Sequence, residues 1–294
     1  MSSRSTGRLP RFQPQPKVFC ILGDERAYAS RSPALFRAVF KRHGINGTYV
    51  PFKVAPEDLG QALQSLRILN IAGASVTVPY KEAVVPHLDV LSEGAQIIGA
   101  INTIVRVGDL LKGYNTNAIG FMDALLEAGF EVEGRTALVF GTGGGARAVA
   151  FIFNWLRTRR IIIVGRDPER TAHLADRYGA EARGIQDLSV GSLAVDVVVN
   201  ATSVSSAGEA PELEAGLRAM SLQGCQLVVD LNYDQSQSIW QALAQEHSAR
   251  FMDGLVPLAH QARRTFALWT GLNLPHAEFG AALQMSEVAR ATRS

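Results

Sequence analysis

Thr136-Ala137-Leu138-Val139-Phe140-Gly141-Thr142-Gly143-Gly144-Gly145-Ala146 is the stretch on which the fold turns. Its first five residues read as a buried strand, and the glycines pass directly into a helical pattern that runs to about Thr158. Gly141, Gly143 and Ala146 fit the spacing G-x-G-x-x-[G/A], with Gly144 inside the same turn. The first glycine permits a tight turn, the second lets the backbone approach a pyrophosphate, and the small third residue lets helix and strand pack closely. A helix start of this kind also offers free N–H groups and a positive dipole end to phosphates. Glycine-rich turns serve as plain connections too. Position directly after a buried strand and before a helix is what favours a dinucleotide site.

The pattern continues on both sides. Downstream, Ile161–Val164 is the next strand, Pro168–Tyr178 a helix, and Val195–Asn200 and Gln226–Leu231 are further buried strands. Upstream, Val18–Leu22, Thr48–Val54 and Ala74–Val78 read as strands. Ser32-Pro33 opens a helix to about His43 with serine as its cap, Pro56–Leu69 forms another helix, and a third starts at Tyr80. Ala100–Val107 and Leu110–Tyr114 flank Gly108-Asp109 as a hairpin, and Thr116–Gly129 is a helix leading out. Val256–Trp269 is helical and packs back on the first unit. The expected fold is α/β: an N-terminal α/β substrate domain over 17–118, completed by the helices of 255–294, and a Rossmann-like doubly wound dinucleotide-binding domain over 119–254. Residues 1–16, polar and basic at the start, are expected to be a disordered arm.

Bulk properties exclude several functions. A net charge of 29 − 27 = +2 gives no reason to expect nucleic acid as a partner. No apolar run approaches the ~18 residues that suggest a membrane span, and the N-terminus lacks the apolar centre of a secretion signal. Cys20 and Cys225 each sit in an apolar run, which reads as buried free thiols in a reducing compartment and a cytoplasmic protein. The six histidines show no metal-ligand spacing, so no metal is expected, and His260 reads as a helix-surface histidine or a pocket-lining one. There is no G-x-S-x-G elbow.

The cofactor's identity turns on Gly165-Arg166-Asp167-Pro168-Glu169-Arg170. An acidic group at this strand end bonds an adenosine 2′-hydroxyl, whereas arginine favours a 2′-phosphate. Both types are present. Asp167 also suits a helix N-cap before Pro168, and Arg166 can stack on adenine while pairing with a phosphate. The balance favours NADP over NAD.

Lys81 follows a strand through Pro79-Tyr80, at the carboxyl edge of a sheet where open α/β folds hold ligands. Alone it reads as a solvated surface charge. It is accompanied by Ser30-Arg31-Ser32-Pro33, Gly99-Ala100-Ile101-Asn102-Thr103 and His260-Gln261-Ala262, all polar sites in apolar contexts. Together they indicate one polar pocket between two domains.

With Ala74-Ser75-Val76-Thr77-Val78-Pro79-Tyr80-Lys81 and Gly113-Tyr114-Asn115-Thr116-Asn117, these segments resemble the signatures of the shikimate dehydrogenase family, in its order, from about residue 17 to 285. The resemblance implies that Lys81 is catalytic and that Asn117 stands where the family has an aspartate paired with the lysine. It further implies that Ser30 and Ser32 bind the substrate carboxylate, that Thr77, Asn102 and Gln261 bind substrate, and that Tyr233 lies near the carboxylate. Thr202, in Asn200-Ala201-Thr202-Ser203, and Gly254 would line the nicotinamide side. Arg166 and Arg170 match the two cations of NADP-using members, while Gly165 and Asp167 depart from their pattern. The implied activity is hydride transfer between NADP(H) or NAD(H) and a shikimate/3-dehydroshikimate- or quinate-type hydroxy acid. The protein would act on a small-molecule carboxylate substrate as a monomer or homodimer. A catalytically impaired paralogue that binds nucleotide and ligand in a regulatory role is the alternative. A folate-type carrier is a third, against which the pocket serines and Tyr233 argue. An amide at 117 keeps the size and a hydrogen-bonding oxygen of the acid but not its charge. It fits a changed reaction, an engineered trap, or a site in which the lysine suffices.

Overall fold

The computed structural model describes residues 15–189, 192–233 and 238–291; all but the last two residues of the expected arm lie outside them. The chain builds two six-stranded sheets and one small two-stranded sheet. The first begins with β1 (Lys17–Gly23), whose side chains alternate between two cores: Phe19 and Ile21 on one face, Cys20 and Leu22 on the other. After a short helix α1 (Arg26–Ala29) come α2 (Ser32–Arg42), β2 (Gly47–Lys53), α3 (Leu59–Ile68) and β3 (Gly73–Val76), with β1 parallel to both β2 and β3. β4 (Val90–Leu91), α4 (Glu93–Ile98) and the hairpin of β5 (Thr103–Val107) and β6 (Leu110–Tyr114) complete this sheet in the order β2-β1-β3-β5-β6-β4. Gly108, at φ 61°, turns the hairpin.

Two local expectations are corrected. Ser32 is the first residue of α2 and does not cap it; Arg31 precedes it in helical conformation with no side-chain cap. The preceding helix α1 shifts that role upstream: Ser30 is extended, and its hydroxyl accepts the Ser32 amide at 3.2 Å. No helix starts at Tyr80. The chain runs in turns there and forms only a 3₁₀ turn at Val85–His87. Pro86 withholds an amide from any helix, and the Tyr80 hydroxyl ties the segment to the Val54 carbonyl at 2.6 Å.

α5 (Thr116–Glu127) crosses to the second sheet, where Phe121, Ala124 and Leu125 enter its core. That sheet contains β7 (Thr136–Phe140), α6 (Gly144–Trp155), β8 (Arg160–Gly165), α7 (Pro168–Tyr178), β9 (Glu181–Gly184), β11 (Val197–Asn200), β13 (Leu227–Asp230), α9 (Ile239–Glu246) and β14 (Arg250–Met252). β10 (Ser192–Ala194) and β12 (Ser221–Gln223) pair separately around α8 (Pro211–Ala219). The strand order β14-β13-β11-β7-β8-β9 is parallel throughout. Ala137 and Val139 face one layer, Leu138 and Phe140 the other, so β7 is apolar on both sides because helices cover both. β7 is central: the connection to β8 goes one way and that to β11 the other. The crevice beyond its carboxyl end is a topological switch point, where such sheets hold ligands.

The chain then returns. α10 (Leu255–Thr270) buries Ala259, Ala262, Phe266 and Trp269 on the first sheet, with Trp269 stacked on Phe19 at 4.8 Å, and α11 (His276–Ala291) packs beside it. Residues from both C-terminal helices thus share one core with β1, α2 and β2. Elements of the two sheets also touch directly: Arg147 of α6 pairs with Glu82 at 3.0 Å, and Arg177 of α7 donates to the Ile97 carbonyl of α4 at 3.0 Å.

Candidate active site

The glycine turn occupies the switch-point crevice. Gly141 has φ +110°, and a Cβ there would lie 2.9 Å from the Ala201 carbonyl, so strand β11 approaches as closely as only glycine allows. A Cβ on Gly143 would meet nothing within 4 Å, which leaves the backbone open on that side. Gly143 caps α6 without a side-chain bond, so the first amides of that helix are free for an anion. Ala146 is fully buried under the helix, as close packing requires.

These features open on a cleft of about 990 Å³ lined by Gly141, Gly143, Gly144, Arg166, Asp167, Arg170 and Thr202 from the second sheet, and by Arg26, Val78 and Lys81 from the first. Asp167 is the N-cap of α7, accepting the Arg170 amide at 3.1 Å. Its carboxylate thus has a local partner, while the guanidinium groups of Arg166 and Arg170 carry the positive charge of the cleft end. Gly254 does not line the cleft. Its amide donates to the Asn232 carbonyl at 3.0 Å, and the Leu231 and Asn232 carbonyls leave no space for a Cβ. Asn232 also donates to the Thr202 carbonyl at 2.9 Å, so Gly254 braces the loop that carries Thr202. Beneath that loop lies Asp230, 1% exposed, taking bonds from Asn200 (2.8 Å) and Asn232 (3.0 and 3.1 Å). Burial pushes its carboxyl above the usual range.

Lys81 stands where the two sheets meet; a Cβ on Gly144 would lie 3.1 Å from the lysine Cβ. The residue keeps part of its surface open, yet its ammonium is desolvated, and burial lowers its pKa from 10.5 to about 8. The adjacent carboxylate, Glu82, is taken by Arg147. Among the described residues no carboxylate pairs with Lys81. Asn117 is at the first turn of α5, whose start is set by Asn102: Asn102 Oδ1 accepts the amides of Thr116 at 2.7 Å and Asn117 at 3.3 Å. The Lys81 carbonyl accepts the Ile101 amide at 2.8 Å, so Lys81 and Asn117 are both anchored on the Ile101–Asn102 step.

Gln261 enters from α10. Gly120 gives it room, since a Cβ there would be 2.6 Å from the Gln261 amide nitrogen. Its side chain donates to Thr116 Oγ1 at 3.2 Å and to Thr265 Oγ1 at 2.8 Å. A second polar cluster forms around Tyr49 of β2. Its hydroxyl is fully buried and makes no hydrogen bond among the described residues, with the hydroxyls of Ser32 and Ser75 facing it and Tyr233 close by. Burial raises its pKa. Thr77 follows β3, its amide on the Leu22 carbonyl at 2.9 Å and its methyl against Gly23. β3 pairs Ser75 with Thr103, next to Asn102, which joins the hydroxyl cluster to the lysine end.

Tyr49, Ser75, Thr103, Thr116 and Thr265 escaped the sequence reading. An aromatic in mid-strand reads as core, and threonines carry no distinctive spacing. His260 is also corrected: it is buried, with Nε2 2.6 Å from Glu127 and its ring stacked on His276 at 4.3 Å. The three residues draw together from α5, α10 and α11 across more than a hundred positions of sequence, so no local spacing announced them. The near-parallel rings make this a clasp on one carboxylate.

Fold and site define a class: a two-sheet α/β protein with a dinucleotide-type crevice facing a half-buried lysine and a polar pocket. The description "Shikimate dehydrogenase substrate binding domain" matches residues 22–104, and "Shikimate / quinate 5-dehydrogenase" matches residues 124–245. A relative named shikimate dehydrogenase (NADP(+)) from Moorella thermoacetica is 38% identical over 255 residues, 84% of this chain and 85% of its own. One of the same name from Desulforamulus reducens is 39% identical over 256 residues, 84% and 87% of the two chains. Among solved structures, Thermus thermophilus shikimate 5-dehydrogenase in complex with NADP(H) and shikimate aligns at 32% identity and TM-score 0.79, over 92% of this chain and 99% of that one. The Aquifex aeolicus shikimate dehydrogenase aligns at 29% and TM-score 0.82, over 92% and 98%. The chain belongs to the shikimate dehydrogenase family.

Proposed function

We propose that this protein is an NADP-dependent oxidoreductase that interconverts an alcohol and a ketone on shikimate or a closely similar cyclic hydroxy acid. The observation that carries the reading is Lys81, a desolvated amine with a pKa near 8, directly against the glycine turn of a dinucleotide crevice. The relatives' NADP and the shikimate of the Thermus structure agree with it. Residues 17–118 with 255–294 are assigned to substrate and 119–254 to nucleotide. No helix among the described residues is long and apolar enough to cross a membrane; a cytoplasmic monomer or homodimer is part of the proposed reading.

The crevice suits the cofactor. Open backbone at Gly143, uncapped amides at α6 and the Arg166–Arg170 pair match pyrophosphate and a 2′-phosphate. When bound, NADP accepts or supplies the hydride. The chain's own residues do the rest. The hydroxyls of Ser30, Ser32, Tyr49, Ser75 and Tyr233 receive the substrate carboxylate, with the buried Tyr49 hydroxyl, beside those of Ser32 and Ser75, as one donor. Asn102, Thr77 and Gln261 hold the ring. Lys81 Nζ takes the proton from the alcohol in oxidation and returns it in reduction, a contribution of about 10² to 10⁴-fold. Asn117 orients the oxygen by hydrogen bonding without supplying charge. The test is reduction of NADP and of NAD with shikimate, and separately with quinate. Turnover with NADP and shikimate is expected; inactivity with both acids would reject the reading.

A further inference from the structure

Between α5, α10 and β5, beneath the residues assigned to the substrate ring, lies a closed set of polar groups. Thr103, Thr116 and Thr265 place three hydroxyl oxygens in a triangle, with separations of 3.0 Å (Thr103–Thr116), 2.9 Å (Thr103–Thr265) and 2.9 Å (Thr116–Thr265). Thr103 and Thr265 are fully buried, Thr116 nearly so. Two carboxamides feed this triangle, Asn102 through Nδ2 to Thr116 at 2.8 Å and Gln261 through Nε2 to Thr116 and Thr265.

The proton count decides which way each amide faces. Asn102 is fixed outright, because its Oδ1 accepts two backbone amides, those of Thr116 and Asn117. Its nitrogen must therefore face Thr116. Gln261 follows from the triangle. Were its oxygen turned inward, it would take the Thr116 and Thr265 protons, leaving one proton for three close oxygen contacts. With nitrogen inward, both amide protons enter the cluster and all three hydroxyl protons stay with the oxygens. Thr116 then has both acceptor positions filled, by Asn102 and Gln261, so it donates to Thr103 and Thr103 to Thr265; two of the three hydroxyl contacts carry a proton, against one with the oxygen inward, and the Thr116–Thr265 contact carries none. What remains for a ligand is set: Gln261 has only its Oε1 acceptor, and Asn102 has one N–H donor.

We propose that Thr265 is a positioning residue that fixes the hydrogen-bonding polarity of the substrate pocket, holding Gln261 so that it accepts from, and does not donate to, a ring hydroxyl. The inference rests on the functional reading above and sharpens it. The favoured ligand bears a hydroxyl that donates to Gln261 and an oxygen that accepts from Asn102. An isosteric group that only accepts, such as fluorine in place of the first hydroxyl, is rejected. Without the Thr265 hydroxyl one Gln261 proton loses its acceptor, the amide can turn over, and this selectivity collapses.

The test compares the full chain with Thr265→Val and Thr265→Ser in two measurements. The first uses no ligand: hydrogen exchange of the Gln261 side-chain amide by ¹⁵N NMR, identified by its loss in Gln261→Asn. Both protons should be protected in the parent and in Thr265→Ser, and protection should fall at least about tenfold in Thr265→Val. The second measures affinity for shikimate and its monofluoro analogues, each ring hydroxyl replaced in turn. At one position the replacement should weaken binding about tenfold in the parent and in Thr265→Ser, and no more than about twofold in Thr265→Val. Thr265→Ala serves if the valine variant folds poorly. Equal amide protection in parent and valine variant, or the same fluorine penalty in both, would overturn the proposal. Failure of the parent to bind shikimate would count against the functional reading, while the exchange measurement would still decide the network.

Discussion

Asn117→Asp is the most informative single change, because it restores a charge where the structure has none. In this chain the Lys81 amine lies near pKa 8 through burial alone, with Glu82 held by Arg147. A carboxylate within about 4–6 Å favours the ammonium and raises the lysine by about 1–3 units. Coulomb's law gives a similar size: unit charges about 5 Å apart at an effective dielectric of about 20 attract by about 3 kcal/mol, or about 2 units. The sign then follows for each direction of reaction. Alcohol oxidation needs the neutral amine, so kcat/KM should rise with pH and level off above about 8 in the parent; ketone reduction needs the ammonium and should fall through the same pH. In Asn117→Asp both inflections should move up to about 9–10. At pH 7 the neutral fraction would drop from about one in ten to between about one in a hundred and one in a thousand. The assay is kcat/KM against pH from 6 to 11 in both directions, reporting the free enzyme. Superimposable profiles, or a parent inflection near the ordinary lysine value, would refute the claim that Lys81 titrates alone in a desolvated site.

Three further outcomes are expected. Lys81→Ala should lower turnover by about 10² to 10⁴-fold with unchanged NADP binding by fluorescence titration, and a variant as active as its parent would remove Lys81 from the chemistry. Arg166→Ala should weaken NADP far more than NAD, because only the former has a 2′-phosphate to lose, whereas equal losses would show that Arg166 contacts a shared part of the cofactor. Gly141→Ala should cost about 1–3 kcal/mol in denaturant unfolding, since its φ of +110° and the Ala201 carbonyl 2.9 Å away both exclude a side chain; a neutral substitution would mean that the turn relaxes.

Much of this protein is local, and local features are legible. The strand, glycine turn and helix over 136–155 follow from apolar runs and glycine chemistry, and Pro168–Tyr178 begins and ends where Asp167, Pro168 and Gly179 dictate. The hairpin at Gly108 and the return of α10 to the first sheet follow in the same way from turn residues and an apolar helix face. Failures came where a neighbour in space overrode the local signal. Ser32 looks like a cap until α1 displaces it, and the residues after Tyr80 look helical until Pro86 and the Val54 carbonyl claim them.

The chemistry divides along the same line. Lys81, Asn102, Asn117 and Gln261 are named as candidates because the segments that carry them resemble the family's signatures. Their properties are not legible that way. The pKa of Lys81 depends on its desolvation where it packs against Gly144; the facing of the Gln261 amide depends on Thr103 and Thr265, 162 residues apart. The burial of the Tyr49 hydroxyl beside Ser32, Ser75 and Tyr233 likewise arises only in three dimensions. Backbone preference is carried by neighbours along the chain, so the sequence by itself determined most of the elements and supplied the candidates for the reactive groups. Desolvation, proton partition and charge pairing arise among groups distant along the chain, and only the tertiary structure decided those.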